Sequence, residues 1–211
     1  NLYNLIAKQD KKFFSVVDDI MHNWILLEKI IQNDSTIFIE EYKNYSKNKS
    51  DDEDVKNWVT SFVLKYSIEF NAMFDTIFNI NVENFLKELR KNIANKMKRM
   101  KKIELKRGLL PDDDILDNME SALKSAFYMH FRHLYNNIEK YNIEHSFAVA
   151  IFFFIRNYAY SGMFRYNNNG GFNVPYGGIG YNKKNLSKKI NYLQNKELIE
   201  HLSKTTIDSL D

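Results

Sequence analysis

Arg156-Asn157-Tyr158-Ala159-Tyr160-Ser161-Gly162-Met163-Phe164-Arg165-Tyr166 mixes aromatics, amides and two arginines in one short stretch. Arg can grip guanine in the major groove and Asn can grip adenine. Aromatics can stack on bases or wedge between them. The run continues through Asn167-Asn168-Asn169-Gly170-Gly171 into Phe172-Asn173-Val174-Pro175. A tip rich in Asn and Gly lets backbone approach a ligand closely. The alternative is an ordinary hairpin whose aromatics pack on neighbouring helices, which leaves the density of Asn and Arg unexplained.

Three other places carry chemistry. Lys96 to Arg107 reads KMKRMKKIELKR, with positive charge on more than one face of a helix. Lys98, Arg99, Lys101 and Lys102 form its centre, an electrostatic footprint for phosphates. The same run also reads as a solvated face balanced by Asp112, Asp113 and Asp114. Asp19 follows Phe13-Phe14-Ser15-Val16-Val17-Asp18, a short β-branched and aromatic run that predicts a strand ending in acids. An acid at such a tip can hydrogen-bond a ribose diol; the alternative is the N-cap of a following helix. His130 and His133 share a helix face, but no carboxylate stands beside them at metal-ligand spacing, so no metal site is expected.

The elements that must position these residues are mostly helices. The 211 residues are enough for one domain, or one domain with an insertion. Apolar residues at 44% and aromatics at 15% exclude a disordered chain. The absence of cysteine excludes disulfides, thiolate zinc sites, iron–sulfur clusters and a cysteine nucleophile. Two prolines and seven glycines favour long helices over a turn-rich all-β fold. Net charge is only +3, so a nucleic-acid reading must rest on where the positive charges sit. The longest apolar run, Phe147 to Ile155, is about half a membrane span and predicts a buried helix. With no recognisable leader, a cytoplasmic protein with no membrane partner is expected.

Helical periodicity covers Met21 to Gln32 and then dominates from Ser35 to about Tyr141. Further helices are predicted from Glu144 to about Ala159 and from Leu186 to Leu202. Gly162 to Gly180 predicts a β-hairpin or ordered loop, and Thr205 to Ser209 a short strand. The expected class is mainly α (α+β).

Arg156 to Gly177, RNYAYSGMFRYNNNGGFNVPYG, resembles a signature of the Dam-like DNA adenine methyltransferases. The likeness rests on Arg165-Tyr166-Asn167 followed by Phe172-Asn173-Val174-Pro175. Val16-Val17-Asp18-Asp19-Ile20-Met21 is similar to the family's strand ending in Asp-Ile-Asn. The resemblance implies transfer of a methyl group from S-adenosylmethionine to the exocyclic amine of adenine at a specific double-stranded DNA sequence. It implies that Asp19 holds the cofactor ribose and that Arg165 reaches into the major groove. It places Tyr160, Ser161 and Met163 beside a flipped adenine, while Asn167, Phe172, Asn173 and Pro175 shape the hairpin. It also implies a division of the chain. Residues 1–33 and 181–211 would be pieces of a Rossmann-like methyltransferase core, and 34–180 a helical target-recognition region with a β-hairpin.

The chain departs from the pattern at Ser161, where Asn is usual, and at Met21, which replaces Asn. Gly178-Ile179-Gly180 stands where the family usually carries basic and aromatic residues. The family's Gly-rich cofactor loop and its catalytic Asp-Pro-Pro-Tyr are not in this sequence, so no catalytic residue is expected here and the chain is expected to be inactive alone. A restriction–modification setting with a cognate endonuclease is an expected context. The competing expectation is a non-enzymatic helical DNA-binding or protein-interaction module.

Overall fold

The computed structural model describes residues 2–73 and 79–206. A short helix, α1 (Leu2–Ala7), is followed by Asp10, whose carboxylate accepts from the Phe13 N–H at 2.8 Å and caps α2 (Lys11–Asn33). The strand expected at Phe13 to Val17 is therefore part of a helix. The physical reason lies in the spacing. Phe13, Val17, Ile20, Trp24, Leu27 and Ile31 recur every three or four residues and all are buried. That stripe outweighs the local β preference of Val16 and Val17.

The remaining helices are α3 (Ser35–Ser46), α4 (Asp52–Lys65), α5 (Ser67–Met73), α6 (Val82–Arg107), α7 (Asp112–Tyr135), α8 (His145–Tyr158), α9 (Ser187–Leu193) and α10 (Lys196–Ser203). Asp51 starts α4 with a capping box: its carboxylate accepts from Glu53 and Asp54 N–H, and Asp54 accepts from the Asp51 N–H. The helix expected from Leu186 to Leu202 is broken at Asn195, whose side chain caps α10 through Glu197 N–H.

No strand and no sheet occur among the described residues, which overturns both the β-hairpin and the Rossmann-like flanks. Where the hairpin was expected there are only two isolated bridges, Ala159 with Tyr176 and Tyr166 with Phe172. A ladder needs successive paired residues. Here the cross-loop backbone bonds are scattered, and Phe172 and the Val174 carbonyl bond to side chains of Tyr128, Arg132 and Asn136 instead. Of the strand expected at Thr205 to Ser209, residues 207–209 lie outside the described residues, and Thr205 and Thr206 are not in a strand.

Helices α6 and α7 form an antiparallel pair. Phe85 meets His130 (6.2 Å between ring centroids), the Ser125 hydroxyl donates to Asn92 Oδ1 (2.9 Å), and Lys96 reaches the Ser121 hydroxyl (3.5 Å). At Trp24 the helices α2, α7 and α8 converge: its ring lies 6.1 Å from Phe127, 5.4 Å from Phe154 and 4.5 Å from Tyr158. One apolar cluster runs from Leu5 to Ile190, so residues from 1–33, 34–180 and 181–211 all join the same core.

Candidate nucleic-acid interface

Helix α8 ends at Tyr158, and the chain leaves it through Ala159. The Tyr160 N–H donates to the Pro175 carbonyl (2.9 Å) and the Gly177 N–H to the Tyr158 carbonyl (3.0 Å), closing the base of a loop. Ser161 (φ 52) and Gly162 (φ 62) then take left-handed backbone. Only Gly does so freely; Ser pays for it, and Asn would pay less.

At the far end, Asn167 Oδ1 accepts from the Asn169 N–H (3.0 Å) and the Gly171 N–H (2.8 Å). Asn167 therefore shapes the tip. Arg165 Nη2 donates to the Asn173 carbonyl (2.8 Å), and the Asn173 N–H donates to the Arg165 carbonyl (2.9 Å). Arg165 and Asn173 are thus held side by side, both exposed.

The returning segment lies extended along α7. Phe172, Val174 and Tyr176 are buried, while Asn173 and Pro175 face outward. Asn136, just past α7, clamps Phe172 from both sides: its Nδ2 donates to the Phe172 carbonyl (3.0 Å) and its Oδ1 accepts from the Phe172 N–H (2.8 Å). The Tyr128 hydroxyl and Arg132 Nη1 both donate to the Val174 carbonyl at 3.0 Å. Two extended residues rise about 6.6 Å and four helical residues about 6.0 Å. That near-match lets Asn136 and Arg132, four apart in sequence, meet Phe172 and Val174, two apart on this strap, with Tyr128 joining Arg132 at the Val174 carbonyl. Sequence reasoning missed these three positioning residues; their i, i+4, i+8 spacing was the available signal.

The loop surface is apolar for an exposed one. Tyr160 is 51% exposed, Met163 38%, Phe164 58% and Tyr166 40%. Phe164 is edge-on to Phe152, Tyr166 and Phe172, with Arg156 6.0 Å above its ring. These aromatics support one another while leaving Tyr160 and Met163 turned to solvent.

The basic run of α6 is elsewhere. Lys98 pairs with Asp52 (2.7 Å), and Lys101 donates to the Tyr45 carbonyl and to Asn48 Oδ1 (both 2.8 Å). Arg99 and Lys102 are exposed and make no hydrogen bond or ion pair among the described residues. The antiparallel pairing puts Lys102 level with Ile115, roughly 30 Å along α7 from Asn136. The structure therefore does not bring the basic run and the loop to one spot.

Asp19 is half-buried in the middle of α2. The residues around it are helical on both sides, so no strand tip or adjoining loop is present to cradle a ribose. Asp19 as placed does not fit the expected cofactor contact. His130 Nδ1 lies 3.3 Å from Asn84 Nδ2, whereas His133 Nε2 lies 3.0 Å from the Tyr141 hydroxyl. The two rings are engaged by different partners. Burial, with His133 nearby, pushes the His130 imidazole down to about 3.

No protein family, curated protein or solved structure matches the chain. No helix among the described residues is long and apolar enough to cross a membrane.

Proposed function

We propose that this chain is the DNA-recognition part of a site-specific DNA adenine methyltransferase. The observation that carries the reading is the division of labour within Arg165 to Tyr176. Phe172, Val174 and Tyr176 anchor the segment, and Arg165 and Asn173 are presented together on its outer side. An Arg preorganised beside an Asn suits reading of base edges in the major groove. Tyr160 and Met163, on the strained turn, suit insertion beside an extruded base. In this reading S-adenosylmethionine is the methyl donor and duplex DNA the partner, with a cognate endonuclease reading the same sequence. Asp19 has no cofactor role in it, and no step of methyl transfer is assigned to these residues.

Selection of bound duplexes from a random pool, followed by Arg165→Ala, tests the reading. The variant loses about 1–3 kcal/mol on the selected sequence and little on others. Equal loss on all sequences removes Arg165 from base reading. The absence of any sheet among the described residues favours a second reading, a non-enzymatic DNA-binding module. Placing 2-aminopurine at each adenine of the selected site separates the two: extrusion raises its fluorescence at one adenine, whereas a simple binding module leaves every position dark.

A further inference from the structure

Beside the loop, a cavity of about 400 Å³ opens between α1, the end of α8 and α9. Tyr3, Phe153 and Tyr192 form an aromatic wall, and Arg156, Lys184 and Lys189 are the cations that line the opening. None of these three cations has a carboxylate partner among the described residues. Lys189 Nζ donates to Asn157 Oδ1 (2.7 Å) and Lys184 Nζ donates to the Asn157 carbonyl, so one residue gathers both ammonium groups. Ring faces hold the charges as well: Lys184 lies 4.8 Å from the Tyr181 centroid and Lys189 5.7 Å from that of Phe153.

Three like charges gathered without a counter-charge repel one another. Burial and then the Lys189 charge lower the Lys184 ammonium; burial and then Arg156 lower that of Lys189. An anion in the opening would relieve that repulsion, and the aromatic wall has room for the organic part of an ester. We propose that Arg156, Lys184 and Lys189 form a binding site for a phosphate ester, supplied either by a free nucleotide or by a strand of nucleic acid. The proposal does not depend on sequence-specific DNA reading, because neither Arg165 nor Asn173 lines the opening.

The test is calorimetric titration of the whole chain with adenosine monophosphate, adenosine, inorganic phosphate and a short duplex. It is repeated on Lys184→Gln, Lys189→Gln and, as a control, Lys188→Gln, an exposed neighbour that does not line the opening. Loss of one charge-assisted contact weakens binding by roughly tenfold. Tenfold loss of the nucleotide in the two cavity variants but not in Lys188→Gln supports the site with a free ligand. The same loss for the duplex alone supports it with a nucleic-acid backbone. Binding of neither ligand, or equal loss in all three variants, overturns it. Inorganic phosphate binding as tightly as the nucleotide reduces the site to a bare anion hole and overturns the ester assignment. Circular dichroism of the exposed-lysine variants separates lost binding from lost folding. Arg165→Ala leaves this binding intact, so failure here and failure of the base-reading proposal are distinguishable.

Discussion

Asn136 does with one amide what a neighbouring strand does with a backbone: it satisfies both the N–H and the carbonyl of Phe172. Asn136→Ala leaves both groups without that partner, at a cost of about 1–3 kcal/mol each where burial is complete. Thermal unfolding reads the loss, and limited proteolysis shows faster cleavage between 160 and 171. His130 supplies a second prediction at this scale. Its folded pKa of about 3 lies below the unfolded 6.5, so the unfolded chain binds the extra proton between those values. Stability is therefore full above pH 6.5 and falls as pH drops, by about 2 kcal/mol between pH 6.5 and 5. Denaturant midpoints across that range detect it, and His130→Phe flattens the slope. The residues of the loop were legible in the sequence because Arg, Asn and Phe-Asn-Val-Pro cluster there. Their anchors on and just past α7 were not, because nothing local marks Tyr128, Arg132 and Asn136 until something extended lies across them.

At the scale of elements, α2 shows where local reading fails. Phe13 to Val17 taken alone favours a strand, and only the continuation to Trp24, Leu27 and Ile31, with Asp10 as a cap, reveals the helix. The helical periods of α6 and α7 were plain, since the buried stripe runs from Phe85 to Met100 in the first and from Ile115 to Leu134 in the second. The seven cations from Lys96 to Arg107 looked equivalent in the sequence, but the fold separates them. Lys98 and Lys101 tie α6 to the α3–α4 corner, leaving Arg99 and Lys102 for solvent or phosphate. If α6 contacts the DNA backbone, Arg99→Ala with Lys102→Ala lowers the salt slope of DNA binding by about 0.9 for each lost phosphate contact. Lys98→Ala with Lys101→Ala acts on thermal stability instead. An unchanged slope in the first pair makes that end of α6 a solvated face.

Across the whole molecule, one buried charge joins three elements. Lys124 on α7 is almost fully enclosed; its ammonium donates to Glu120 Oε1 and to the Asn182 carbonyl, both at 2.7 Å, and lies 3.7 Å from Glu28 on α2. Lys183 completes the cluster by pairing with Glu28 and Glu120. Lys124→Met leaves Glu120 enclosed with only Lys183 beside it, and the expected loss is about 3–5 kcal/mol in unfolding free energy. A loss below 1 kcal/mol would show that water already reaches the cluster. Glu120 and Lys124 stand four apart on one helix, but the network as a whole was invisible in the sequence, because Glu28 and the Asn182-Lys183 pair lie far along the chain and join them only when α2, α7 and the segment after Tyr176 pack together.

The loop from Tyr160 to Gly171 is pinned at its base by backbone bonds and at its return by α7, while its own residues contribute nothing fully buried to the core. In terms of descent, that makes it an exchangeable cassette. A lineage can lengthen, shorten or rewrite those residues and so drift toward a new preference, while the helices beneath accumulate no compensating change.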